Sequence, residues 1–210
     1  MHTNEPKEKA ELSEIDKMMQ EDSHDSGGGI LQFAGELIKI VLIALAIIVP
    51  VRYFLIKPFY VNGASMEPTY HNREYLIIDE ISYRFKEPSR GEVVVFRYPV
   101  DPKQFFIKRI VGLPGERVVV KDGIVTVYNS ENISGKDLNE PYLSDSAATQ
   151  GESDVTLGEK EYFVLGDNRT ASLDSRRFGA LPESNLIGRS WLRGWPLERL
   201  GVLDHYNFDF

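Results

Sequence analysis

The chain has 210 residues, enough for one ordinary domain with an insertion, and 42% hydrophobic content with 11 prolines fits a packed, turn-rich portion. Its formal net charge of −8 argues against nucleic acid as a partner, since displacing phosphate counterions takes a basic face. With no cysteine, disulfides and thiolate metal sites are excluded; the four histidines (His2, His24, His71, His205) show no metal-ligand spacing, so no metal site is expected.

Residues 1–29 carry eight acids against three lysines, few large apolar side chains and a closing DSGGG, the composition of a disordered acidic tail. Ile30–Val51 is then apolar except for Glu36 and Lys39. As a helix its 22 residues would run about 33 Å, enough to cross a hydrocarbon core of about 30 Å. Arg52, Tyr53, Lys57 and Phe59 follow as interfacial anchors, so residues 30–56 are expected to form a transmembrane helix in the lipid bilayer. A cleaved leader fits less well, because the region ahead is long and acidic rather than short and basic. A buried core helix is a further reading, since the strictly uncharged part, Ile40–Val51, is only 12 residues. Basic residues flank both ends, so charge alone leaves the orientation open.

After Pro58 the hydrophobic pattern changes from helical to alternating. EYLIIDEIS, GEVVVFRYP, FFIKRIVGL, ERVVVKDG, IVTVYN, EYFVLG and LIGRSWLRGW are short, rich in Val, Ile, Phe and Tyr, and bounded by Gly, Pro, Asp or Asn. Lys121–Ile124 (KDGI) signals a tight hairpin, because Asp-Gly adopts positive φ readily. Strands at this spacing, with no long helical pattern between them, predict a mainly antiparallel β domain over residues 57–210. The polar stretch 129–160 reads as a surface excursion.

Val61–Tyr70 (VNGASMEPTY) places Ser65 in a Gly/Pro-rich loop, where a serine commonly serves only to satisfy nearby backbone. To act as a nucleophile it needs a neighbour that takes its proton. His71 and His205 remain candidates, although nothing singles them out. FFIKRIVG offers a better one: Phe106, Lys108 and Ile110 share one face of a strand, and Ile107, Arg109 and Val111 the other. Both faces are otherwise apolar, so at least one cation points inward or lies on an apolar wall. A guanidinium stays charged almost anywhere, whereas a desolvated lysine can lose its proton. Bringing a lysine from about 10.4 to about 7–8 raises the neutral fraction at pH 7 from roughly four in ten thousand to roughly ten to fifty per cent.

GASMEPT, RGEVVVFRYP, KRIVGLPGE and LGDNRTASLDSRRFG (Leu165–Gly179) occur in that order, and together they closely resemble the type I signal peptidases of bacteria. These are membrane-anchored serine proteases with a Ser-Lys dyad and a β-rich catalytic domain. The resemblance spans about Ile30–Trp195 and implies that Ser65 is the nucleophile, Lys108 the general base and Ser172 the residue that orients the lysine amine. Asp167, Asp174, Arg109 and Arg176 match charged positions that brace the site. It further implies a cytoplasmic N-terminus, an extracytoplasmic catalytic domain, exported preproteins as substrates cut after Ala-x-Ala-like ends, and no cofactor.

Two positions depart from the pattern. Gly63 stands where some members place a serine that helps bind the oxyanion, so the oxyanion hole would rest on the Ser65 N–H and the backbone around Gly63. Ala171 replaces an asparagine often found before the serine at 172. Met66 is the candidate for a substrate pocket. Two rivals stand beside this reading. A self-cleaving Ser-Lys regulator of the SOS-repressor type would need a bond such as Ala34-Gly35. A membrane-tethered β-domain that only binds peptides would leave Ser65 a turn residue.

Overall fold

The computed structural model describes residues 26–50, 57–143 and 149–208. The acidic tail up to residue 25 and the proposed anchors Arg52 and Tyr53 lie outside the described residues. The chain divides into two compact units, 1–51 and 52–210.

In the first unit, helix α1 runs Ser26–Pro50, and its stretch Gln32–Val49 is long and apolar enough to cross a membrane. Ile40, Val41, Leu42 and Ile43, four successive positions that go right round the helix, are all exposed. An apolar surface on every side is the pattern of a span, whereas a soluble surface helix keeps one polar face.

The second unit is built from twelve strands among the described residues: β1 (Lys57–Tyr60), β2 (Tyr75–Asp79), β3 (Val93–Arg97), β4 (Phe105–Gly112), β5 (Arg117–Lys121), β6 (Ile124–Tyr128), β7 (Lys136–Asp137), β8 (Ser153–Thr156), β9 (Glu161–Leu165), β10 (Leu181–Pro182), β11 (Leu186–Trp195) and β12 (Gly201–Val202). One short helix, α2, covers Ser175–Phe178. The larger sheet is ordered β1-β2-β11-β3-β4-β9-β10, with β12 on β11; the smaller is β7-β6-β5-β8. Every pairing is antiparallel. The fold is mainly antiparallel β, and all seven predicted runs are strands in it.

The Asp-Gly signal closes the β5–β6 hairpin with Lys121 opposite Ile124 and positive φ at Asp122 (49°) and Gly123 (83°). The 129–160 stretch differs from a plain surface excursion. Its Val155 and Leu157 supply apolar contacts to the smaller sheet, and β8 pairs with β5 across four residues, Ser153–Thr156. The polar residues around it hid a four-residue strand with one inward valine.

Three apolar clusters hold the unit together. Val118, Val120, Val125, Val127 and Phe163 pack the two sheets near the end of β4. Val61, Met66, Tyr70, Leu76 and Val95 lie beneath the serine loop. Phe96, Ile110, Tyr162 and Val164 fill the other side of β3 and β4. At about 25 cal/mol per Å² of apolar area, such burial supplies the main drive for folding.

Candidate active site

The Ser65 loop leaves β1 and returns to β2, and it is pinned from several sides. Tyr70 N–H donates to the Met66 carbonyl at 2.9 Å, and Tyr70 Oη meets Ser190 Oγ on β11 at 2.6 Å. Arg193, also on β11, donates to the Thr69 carbonyl at 2.8 Å while its Nε pairs with buried Glu74 at 2.9 Å. Opposite, Asn168 donates its amide N–H to the Ser65 carbonyl at 3.0 Å and its side chain to the Ala64 carbonyl at 3.1 Å. A hydroxyl held this way would lose little orientational freedom in a reaction at this loop.

Lys108 arrives from β4, whose register with β3 sets Val94 opposite Lys108 and Val93 opposite Arg109. Both cations of FFIKRIVG are buried, at 3% and 2% exposure. Lys108 Nζ lies 2.7 Å from Ser65 Oγ and 2.7 Å from the Ile107 carbonyl oxygen. Burial pushes the amine down to about 8, against the opposing pull of Asp174 and Asp167. Roughly a tenth of the molecules then carry a neutral amine at pH 7. In that form one N–H donates to Ile107 and the lone pair accepts the Ser65 hydroxyl proton. Neither His71 nor His205 takes part: His71 pairs with Glu67 at 3.9 Å, and His205 lies beside Arg189.

Two buried ion pairs flank the amine. Arg109 grips Asp167 with both ends of its fork, at 2.9 and 2.7 Å, and donates to the Gly91 carbonyl. Arg176 grips Asp174 at 2.8 and 2.7 Å, and Asp174 caps α2 and accepts the Gly166 N–H. Ser172 departs from expectation. Its buried Oγ has no hydrogen-bond partner among the described residues, and the Lys108 amine bonds Ser65 and Ile107 instead.

Gly166 explains why this loop can approach the serine. A Cβ there would lie 2.5 Å from the Ser65 carbonyl oxygen and closer still to Ser172 Oγ. Gly166→Ala must therefore push the loop away from Ser65. We expect it to lower kcat about 10²-fold with little change in KM, the cost a misplacement of about 1 Å can carry; steady-state kinetics on a peptide substrate check this, and an unchanged kcat would refute it.

A cavity of about 240 Å³ opens beside Ser65 and Lys108, walled by Phe59, Leu76, Val95, Phe105, Ile107 and Leu173. Met66 is not among its walls: at 1% exposure it packs into the core under the loop, because the side chain after Ser65 turns inward. The Gly63 N–H is likewise committed, donating to Asn72 Oδ1 at 3.0 Å. The Ser65 N–H, by contrast, donates to no group among the described residues. Gly63 has φ 107° with open space around its Cβ position, so conformation rather than room accounts for the absence of a serine there. Sequence reasoning passed over Asn168 and Arg169, although both stand in the GDNR block; the cavity walls carried no local signal.

The signal peptidase model of peptidase family S26 matches residues 34–195. A probable signal peptidase I-2 from Synechocystis is 41% identical over 80% of this chain and 76% of its own length. A signal peptidase I from Leptolyngbya laminosa is 37% identical over 80% and 83%. A solved signal peptidase I from Enterococcus faecalis covers 50% of this chain and 97% of its own, at 31% identity and a TM-score of 0.41. The chain is a serine peptidase. It belongs to the signal peptidases of family S26.

Proposed function

We propose that the protein is a single-pass membrane endopeptidase that removes N-terminal signal peptides from exported preproteins by a Ser65–Lys108 dyad. The 2.7 Å contact between a buried amine and a serine hydroxyl carries this reading, and membership of the signal peptidases supports the substrate class.

Neutral Lys108 takes the Ser65 proton as Oγ attacks the scissile carbonyl. The Ser65 N–H faces the oxyanion. The ammonium then protonates the leaving amine, an acyl-enzyme remains, and the same amine activates the water that releases it. Protonated Lys108 has three N–H donors, of which Ser65 and Ile107 accept two. The small apolar cavity suits short side chains such as alanine before the cut. Helix α1 crosses the lipid bilayer with the N-terminus in the cytoplasm and residues 57–210 outside it.

Full-length protein in detergent micelles should cut a preprotein after its Ala-x-Ala end, with the new N-terminus read by mass spectrometry. The Ser65→Ala variant should leave the preprotein intact. Cutting by Ser65→Ala, or none by the wild type, would sink the proposal. The pH profile of kcat/KM gives a second check: because the base must be neutral, activity should rise through an apparent pKa of about 8 and level off above it. A rise only near pH 10 would mean a solvated amine.

A further inference from the structure

Glu140 and Tyr142 lie in the polar stretch between β7 and β8, outside any strand, yet both reach the charged groups around the amine. The Arg109 guanidinium stacks 4.0 Å from the centre of the Tyr142 ring. Glu140 takes the Arg169 guanidinium on both carboxylate oxygens, the Oε2 contact at 2.8 Å. Tyr142 Oη closes the triangle, donating to Glu140 at 2.5 Å and accepting from Arg169 at 3.3 Å. Arg169 in turn offers its carbonyl oxygen to Arg176 at 2.8 Å. Each chain of contacts ends on a cation paired to one of the two carboxylates beside Lys108: Arg109 on Asp167, Arg176 on Asp174. Tyr206 and Phe208 back the outer side of the Tyr142 ring, at 5.3 and 6.1 Å between ring centres.

We propose that Glu140 and Tyr142 are positioning residues for the Ser65–Lys108 dyad, holding Arg109 and Arg176 where they neutralise Asp167 and Asp174. This inference rests on the dyad reading above. The amine is faced by Ser65 Oγ, the Ile107 carbonyl, the Phe106 ring at 5.4 Å and the charges of Asp167 and Asp174. Arg109 and Arg176 stand behind those carboxylates, with Tyr142 on Arg109 and Arg169 on Arg176. Releasing either arginine toward water leaves a carboxylate that favours the ammonium and so withdraws the free base.

The test is the pH dependence of kcat/KM for the full-length protein in micelles, with thermal unfolding followed in parallel. Tyr142→Ala should move the rise upward by about one unit, a roughly tenfold loss at pH 7 that is recovered near pH 10. Tyr142→Phe, which keeps the ring over Arg109, should restore the original midpoint, and Glu140→Gln should shift it in the alanine direction. If Tyr142→Ala fails to fold, Tyr206→Ala removes only the outer backing and should shift the midpoint the same way by a smaller amount. A lowered melting temperature with an unmoved midpoint, or a loss equal at every pH, would overturn the inference. Activity surviving in Lys108→Ala would instead overturn the dyad reading, whatever Tyr142 does.

Discussion

Lys108→Met should leave a folded protein with cleavage reduced at least about 10³-fold, the scale seen when one member of a catalytic unit is removed. The same variant should change how stability depends on pH. An amine with a folded-state pKa of about 8 and an unfolded value near 10.4 disfavours the native state wherever it is charged. That cost is fully present below about pH 8 and fades as pH rises towards 10.4, because the unfolded chain then releases its proton as well. Between pH 7 and pH 10 the wild type should therefore gain about 2 kcal/mol relative to Lys108→Met. Urea unfolding of both proteins at the two pH values measures it, and the subtraction removes every other titrating group. A parallel pH dependence in the two proteins would show that the amine is solvated.

Asp167→Ala should destabilise the protein by about 3–5 kcal/mol, the penalty for leaving a buried cation uncompensated. Arg109 and Asp167 have side chains 3% and 0% exposed, so water cannot replace the lost partner without opening the structure. Against a typical total of about 5–15 kcal/mol, this is a large share. The double variant Arg109→Met/Asp167→Leu should recover most of the stability, since apolar pairs of similar volume often substitute for buried ion pairs. Denaturant titration of the three proteins decides it: a single-variant loss below about 1 kcal/mol would mean the pair is solvated. The exposed pair Arg117–Asp154 provides the contrast, and its removal should go almost unnoticed.

The strands were legible because their signal is local. Alternation in FFIKRIVG placed Lys108 and Arg109 on opposite faces of an apolar strand and required at least one of them to turn inward; the structure buries both. The Asp-Gly turn was legible for the same reason. Strand β8 was not, because SDVT offers one inward valine amid polar residues and acquires its identity only by pairing with β5. At the site, Ser65 and Lys108 are 43 residues apart and Arg109 and Asp167 are 58 apart. Spacing cannot reveal such partners, so their pairing rested on the family resemblance. Met66 was misplaced because adjacency to Ser65 in the chain says nothing about which way a loop side chain turns. Glu140 and Tyr142 went unnoticed inside a polar stretch, where an acid ordinarily faces water and a tyrosine is only intermediate in burial.

Neighbouring positions on one strand carry a side chain that can give up its proton and one that cannot. Pairing of β3 with β4 decides which of them meets the hydroxyl. A slip of a single residue would exchange the two, presenting the serine with a permanently charged guanidinium. Strand alignment and the choice of the group beside the serine are thus one and the same feature of the sheet.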